Sequence, residues 1–319
     1  MTEPTLATMK LRDLLASQTP RRANINFAGL NFPVAFTPAT NMTDKVLIKF
    51  HGAVNRGTRV VPVFIPPDPS LQLNWHQLSI SDPLLNIYND LEISWYCGDD
   101  QHNVQDILNS LLSESFQYLN CKKRVYLGGS GGGFAALFYS ARDFGSIAIA
   151  LNPQVIIENY YDRIVRKYTE ICWKQAGVIS KISETRVFNL TDIYRESPGN
   201  TVIYIQNNAD KHHLFMHCVP FLSTIASREN IYGPTDFISH ISFWGKTGHQ
   251  LIPANVYLGW LGAIAAAEDS SGDAILRARA EQINAGKSSA SVQDPAKTAK
   301  AFASEDIALA DAISKWSTL

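Results

Sequence analysis

One hydroxyl set among five glycines, Gly128-Gly129-Ser130-Gly131-Gly132-Gly133, is the part of this chain that speaks most directly of chemistry. A short β-prone run, Arg124–Leu127, enters the segment, and a small-residue helical pattern, Phe134–Ser140, leaves it. Gly128-x-Ser130-x-Gly132 fits a nucleophile elbow, a strained strand-to-helix turn that presents a serine hydroxyl. Glycine is needed because strand and helix approach too closely for a Cβ, and the serine takes an unfavourable backbone conformation. The Gly131 amide then stands at a helix N-terminus, where it can donate to an oxyanion. The competing use of such a run is a phosphate cradle, and Gly131-x-Gly133-x-x-Ala136 loosely matches a dinucleotide fingerprint. The acid expected about 20 residues later is missing from Leu151-Asn152-Pro153-Gln154, and no Gly-Lys-Ser/Thr follows.

A serine hydroxyl needs a base, and the base needs an orienting acid. In elbow enzymes the chain order is serine, acid, histidine. Downstream of Ser130 stand His212, His213, His217, His240 and His249. His249 is the expected base, because it lies in the glycine-bearing loop Lys246–Gln250 just after the last apolar run. His240 falls inside that run and reads as structural. Asp210 is the expected acid: it lies four residues beyond the run Val202–Gln206, after the polar pair Asn207-Asn208. Asp192 and Asp236 are weaker alternatives, since neither follows a strand pattern so directly. His51-Gly52-Ala53 follows the apolar run Val46–Phe50, the setting from which a second oxyanion amide comes, so Gly131 with Gly52 or Ala53 forms the expected hole. His213 and His217 are one helical turn apart, but no further ligand has metal-binding spacing except Asp210 and Cys218. The histidines therefore read as a helix-surface or domain-contact cluster, with no metal and no cofactor expected.

These residues must be carried by a sheet. Strands are expected at Ile25–Phe36 (a hairpin turning at Gly29-Leu30-Asn31), Val46–Phe50, Val60–Ile65, Leu91–Tyr96, Arg124–Leu127, Ser146–Leu151, Val202–Gln206 and Ile238–Trp244. Helical patterns fall at Asn103–Leu119, Gly131–Ala141 and His213–Ser227. Early antiparallel strands followed by alternating β and α predict an open, mostly parallel sheet. Residues 154–199 interrupt the alternation and read as a helical lid over the serine or as a crossover packed on the surface. Trp95, Tyr96, Tyr160, Tyr161 and Trp173 would line a sugar- or aryl-stacking site or pack in core and lid. The expected division is an N-terminal arm, 1–24, a main domain, 25–268, and a linker with a C-terminal helix, 269–319. The linker is centred on 286–294, and the helix opening at Asp294-Pro295 carries Phe302, Leu309, Ile313 and Trp316. That helix would dock on the body or mediate self-association.

In this order of motifs the chain resembles the α/β-hydrolase superfamily from about Ile25 to Trp260. The resemblance rests on Gly128-Gly-Ser130-Gly-Gly132, His51-Gly52, Asp210 and Gly248-His249. It implies an eight-stranded, mostly parallel sheet with helices on both faces and Ser130, Asp210 and His249 converging at its carboxyl edge. The glycine density after the serine, the histidine-rich segment after Asp210 and the tail beyond Trp260 depart from common members. The expected activity is hydrolysis of an ester, or less readily an amide, through an acyl-enzyme, on a small-molecule or saccharide-linked substrate. Acyl transfer with the same triad, or a non-catalytic binding module, are the alternatives.

Composition bounds the rest. A net charge of −1 over 319 residues gives no reason to expect nucleic acid or an anionic membrane as partner. No apolar run approaches the roughly 18 residues of a membrane span, and Met1–Arg22 lacks a signal-peptide core. Four scattered cysteines, Cys97, Cys121, Cys172 and Cys218, suit a reducing compartment, so a cytoplasmic location is expected.

Overall fold

The computed structural model describes residues 6–71, 74–174, 179, 186–228, 236–250 and 253–290. Its strands are β1 (Thr8–Met9), β2 (Arg21–Phe27), β3 (Leu30–Thr37), β4 (Lys45–Phe50), β5 (His76–Ile80), β6 (Lys123–Gly129), β7 (Ile147–Leu151), β8 (Thr201–Asn207) and β9 (Phe237–Ser242). They form one nine-stranded sheet in the order β1-β2-β3-β5-β4-β6-β7-β8-β9. Only the pairings of β3 with β2 and β5 are antiparallel; the others are parallel. The helices are α1 (Leu11–Leu15), α2 (Leu84–Ile87), α3 (Val104–Leu119), α4 (Gly131–Ala141), α5 (Asp162–Trp173), α6 (Leu190–Tyr194), α7 (Lys211–His213), α8 (Val219–Ala226), α9 (Ala254–Ala266) and α10 (Gly272–Ala290).

Strand side chains alternate between faces, and the sequence of β7, Ile-Ala-Ile-Ala-Leu, shows what that alternation builds. Ile147, Ile149 and Leu151 join a core on one face with Val125, Leu127, Ile203 and Ile205 from its neighbours and Trp260, Leu261, Ile264 and Ile275 from α9 and α10. Ala148 and Ala150 face the other way, into the larger core with Tyr126, Phe134, Leu137 and Phe138. Small residues on that face let α4 lie close to the sheet. Both faces are covered, so β4, β7 and β8 read as continuous apolar runs.

Several expectations are revised. The sheet has nine strands rather than eight, because β1 adds to β2 and because β5, with its polar His76, Gln77 and Ser79, lies between β3 and β4. Val60–Ile65 is not a strand. Pro62 and Pro66-Pro67 remove ladder donors there, and the segment is tied to β5 through side chains instead. The Val63 and Ile65 amides donate to Ser81 Oγ (3.1 Å) and Ser79 Oγ (2.8 Å). Leu91–Tyr96 is also not a strand, since Trp95 and Tyr96 both take left-handed backbone conformations (φ 53° and 57°). The buried Asp82 carboxylate imposes that turn, accepting from Ser94 Oγ at 2.6 Å and from the Tyr96 amide at 3.0 Å. At the N-terminus, β1 and the buried Leu11, Leu14 and Leu15 of α1 belong with the sheet and its core rather than to a separate arm. Residues 286–290, expected to begin a linker, continue α10. The expected helix beyond Asp294 lies outside the described residues, as does most of the stretch between α5 and α6. Among the described residues no helix is long and apolar enough to cross a membrane.

Strand register sets the functional edge. Phe50 pairs with Gly128, Gly129 with Leu151, Leu151 with Ile205 and Asn207 with Ser242. The carboxyl ends of five parallel strands therefore lie in one row, and the loops carrying Gly52, Ser130, Gln154, Asp210 and His249 all leave from it.

Candidate active site

Ser130 forms the corner between β6 and α4 at φ 56°, ψ −120°. For a residue with a Cβ this is strained backbone, held by the surrounding bonds. Its amide donates to Leu151 O (2.9 Å), and its carbonyl accepts from the amides of Gly133 (3.0 Å) and Gln154 (3.1 Å). The glycine requirement is visible at Gly128 and Gly132. A Cβ on Gly128 would run into the Gly132 carbonyl, and one on Gly132 into the carbonyls of Phe50 and His51. Gly52 lies against the same corner, so that a Cβ there would stand 3.0 Å from Gly129 O and 3.3 Å from Ser130 Cβ. The loop after β4 and the first turn of α4 thus meet at the serine, with Gly52 and Gly131 face to face and Ala53 next in the chain. His51 is not free to join them. Its Nε2 accepts from the Asp82 amide (3.1 Å), so Nδ1 carries the proton and donates to Gly52 O (2.7 Å). Burial lowers its pKa, which keeps the ring neutral.

Asp210 follows β8 and caps α7, and its two oxygens collect donors only. Oδ1 accepts from the His213 amide (3.2 Å) and His213 Nδ1 (3.1 Å); Oδ2 accepts from His249 Nδ1 (2.8 Å) and Asn152 Nδ2 (3.3 Å). Burial alone would raise this carboxyl, but the hydrogen bonds from His213 and His249 outweigh it and hold the pKa well below the usual carboxylate range. The His249 loop is pinned to the same strand end: the Gly248 amide donates to Ala209 O (2.9 Å), and Asn207 Nδ2 donates to Lys246 O (3.3 Å). With Nδ1–H on Asp210, the lone pair of His249 is at Nε2.

Asp210 and His249 are thus brought together, and Ser130 stands on the same edge, but no hydrogen bond joins His249 to Ser130. Catalytic hydrogen bonds in free enzymes are often long and tighten only with substrate. The Ser130 hydroxyl accepts instead from Gln154 Nε2 at 2.8 Å. The alternative acids are committed elsewhere: Asp236 pairs with Arg228 (2.7 Å) and Ser197, and the exposed Asp192 lies 3.8 Å from Arg195. His240 accepts from the Trp260 indole, 3.0 Å away.

The histidine cluster differs most from expectation. His213 and His217 are fully buried, which removes the helix-surface alternative, and His217 lies within a π-helical turn, Leu214–Cys218, that directly follows His213. His213 stacks on His249 (ring centroids 4.2 Å, 17° between planes), and Tyr161 stacks on His212 (4.4 Å). Burial lowers His212, His213 and His217, the last to about 3, so these three rings are neutral beside Asp210. One donor atom each from Asp210, His213 and His249 lies within 4.8 Å of the others, a spacing that could also hold a cation. Of the five aromatics expected to line a site or to pack in core and lid, Trp95, Tyr96 and Trp173 are core, Tyr160 is half-buried and Tyr161 is exposed. Burial raises the Tyr160 hydroxyl, Tyr161 adding to the effect, while a hydrogen bond from Gln154 opposes it.

Three residues of this site were not anticipated. Gln154 and Asn152 sit in the tetrapeptide that was read only for its missing acid. His213 belongs to the cluster expected on a helix surface or at a domain contact. The one available signal was position, since 152–154 directly follow a strand that neighbours the elbow strand.

No protein-family model matches the sequence, and neither does any curated protein. Solved structures do match in fold. The capsule O-acetyltransferase of Neisseria meningitidis serogroup A superposes with a TM-score of 0.52 at 15% identity, over 75% of this chain and 95% of that one. An acetyl xylan esterase from Paenibacillus sp. R4 gives 0.47 at 13% identity, over 75% and 80%. The acylaminoacyl peptidase of Pyrococcus horikoshii gives 0.48 at 12%, over 72% of this chain and 37% of that one. The fold shared with the O-acetyltransferase is an open, mostly parallel sheet covered by helices on both faces.

Proposed function

We propose that this chain is a serine hydrolase that cleaves esters through an acyl-enzyme. Ser130 Oγ attacks the ester carbonyl as its proton passes to His249 Nε2, and Asp210 stabilises the resulting imidazolium. The tetrahedral oxyanion takes hydrogen bonds from the Gly131 amide and from Gly52 or Ala53. The intermediate collapses with the leaving alcohol taking the proton from His249. Water then repeats the sequence on the acyl group and frees the acid. The observation that supports this most is the 2.8 Å bond from His249 to a buried carboxylate held far below its usual pKa, on the strand edge that also carries a serine at φ 56°. A preorganised anion of that kind is worth most in a low-dielectric site, where the imidazolium forms.

The same acyl-enzyme can pass its acyl group to an alcohol. A fold neighbour described as a capsule O-acetyltransferase makes a saccharide hydroxyl the acceptor to compare with water. The test is turnover of p-nitrophenyl esters of increasing acyl length, with and without added saccharide. Ester cleavage lost in His249→Gln supports the reading, and acylated saccharide among the products assigns transfer. No cleavage of any activated ester by the folded protein would reject it.

A further inference from the structure

Ser130 is not left to its base. Its oxygen accepts from the carboxamide of Gln154, a residue with no solvent exposure that stands three positions beyond the end of β7. An amide can in principle be turned either way, but here the orientation is forced. The indole Nε1 of Trp95 is a donor only, and it bonds to Gln154 Oε1, so the N–H₂ end must face the serine. Trp95 is itself fixed, buried edge-on against Tyr160 and Tyr168 on a left-handed turn. The Gln154 backbone amide holds the Ser130 carbonyl, so donor and nucleophile are tied together at both backbone and side chain.

We infer that Gln154 is a catalytic residue, resting on the serine reading above: its N–H donates to Ser130 Oγ wherever that oxygen carries negative charge. A donor occupies a lone pair of Oγ and leaves the hydroxyl proton free for His249. During attack, the Oγ–H proton moves to His249 Nε2 as the Oγ–carbon bond forms, and charge builds transiently on Oγ. When the acyl-enzyme breaks down, Oγ is the leaving group. The Oγ–carbon bond breaks, the electron pair returns to Oγ, and the proton comes back from His249. A fixed donor stabilises Oγ in both steps without reorganising, which is the source of large effects from single hydrogen-bond donors. The arrangement would act on both acylation and deacylation, unlike a residue that only binds the acyl group or the leaving alcohol.

The test compares Gln154→Glu and Trp95→Phe with the unaltered protein. Gln154→Glu, assayed at alkaline pH so that its carboxyl is ionised, keeps an acceptor for the Trp95 indole but removes the donor; Trp95→Phe keeps the donor but releases its lock. Stopped-flow hydrolysis of p-nitrophenyl acetate gives acylation and deacylation rates, and fluorophosphonate labelling followed by mass spectrometry reports the nucleophile independently. The expected result for Gln154→Glu is a fall of roughly 10²-fold in both rates, with KM within about threefold and the chain still folded by circular dichroism. Trp95→Phe should lose about tenfold. Both variants should still be labelled at Ser130, more slowly. Rates within about threefold of the unaltered protein for Gln154→Glu, with Ser130 still labelled, would overturn the role of Gln154 alone. Failure of the unaltered protein to label at Ser130 would instead remove the serine reading and this inference with it.

Discussion

Asp210→Asn is the substitution whose consequence the geometry fixes most tightly. All four contacts to the carboxylate come from donors: the His213 amide and Nδ1, His249 Nδ1 and Asn152 Nδ2. An asparagine must place an N–H₂ group against two of them. The His213 backbone amide cannot turn away, so the asparagine oxygen stays at the Oδ1 position and its nitrogen faces His249. The imidazole then relieves the donor–donor conflict only by moving its own proton to Nε2, which leaves no lone pair for the serine proton. The expected cost is about 10⁴ in turnover, the scale found when a triad acid loses this role, or about 5 kcal/mol of barrier. Exchanging a charge-assisted bond at a buried site for a neutral one should also lower stability by about 2 kcal/mol. Initial rates on p-nitrophenyl acetate and urea unfolding at pH 7 measure the two effects. A rate within tenfold of the unaltered protein would refute the assignment, and an inactive Asp236→Asn beside it would move the acid elsewhere.

Burial holds His217 at about 3 against an ordinary 6.5. Between those values the unfolded chain binds a proton that the folded protein refuses, so stability falls as pH drops from 6.5 towards 3. The loss from this group between pH 7 and pH 5 is about 2 kcal/mol. In His217→Leu, urea titrations at the two pH values should show that dependence reduced by about the same amount; an unchanged dependence would contradict it. Gly128→Ala places a Cβ against the Gly132 carbonyl. It should lower the melting temperature and abolish ester cleavage together, and a fully active variant would contradict the close strand–helix approach.

What the sequence disclosed about this site was local, and what it concealed was long-range. The strand-to-helix corner at Ser130 could be read because five glycines and one serine are contiguous. Asp210 and His249 could be read because each follows an apolar run within a few residues. Gln154 could not, because its meaning depends on an indole 59 residues earlier in the chain. The burial of His213 has the same cause, because it shows only once the second oxygen of Asp210 is seen to accept from the His213 ring. The missed strand β5 has the same cause: Gln77 and Ser79 look unfit for a core, yet Gln77 accepts from the buried Lys49 ammonium (2.9 Å) and Ser79 from the Ile65 amide. Trp95 and Tyr96 were expected to line a site or fill a core, and the Asp82-anchored turn puts both into the core.

The central claim is that Ser130 is a nucleophile served by His249, and covalent labelling tests it most directly. The folded protein is treated with a fluorophosphonate, whose fluoride departs as the Oγ–phosphorus bond forms, and its mass and peptides are measured. The account predicts one adduct per chain, located at Ser130, absent in Ser130→Ala and strongly slowed in His249→Gln. An unlabelled protein, or a label that persists in Ser130→Ala, would contradict it.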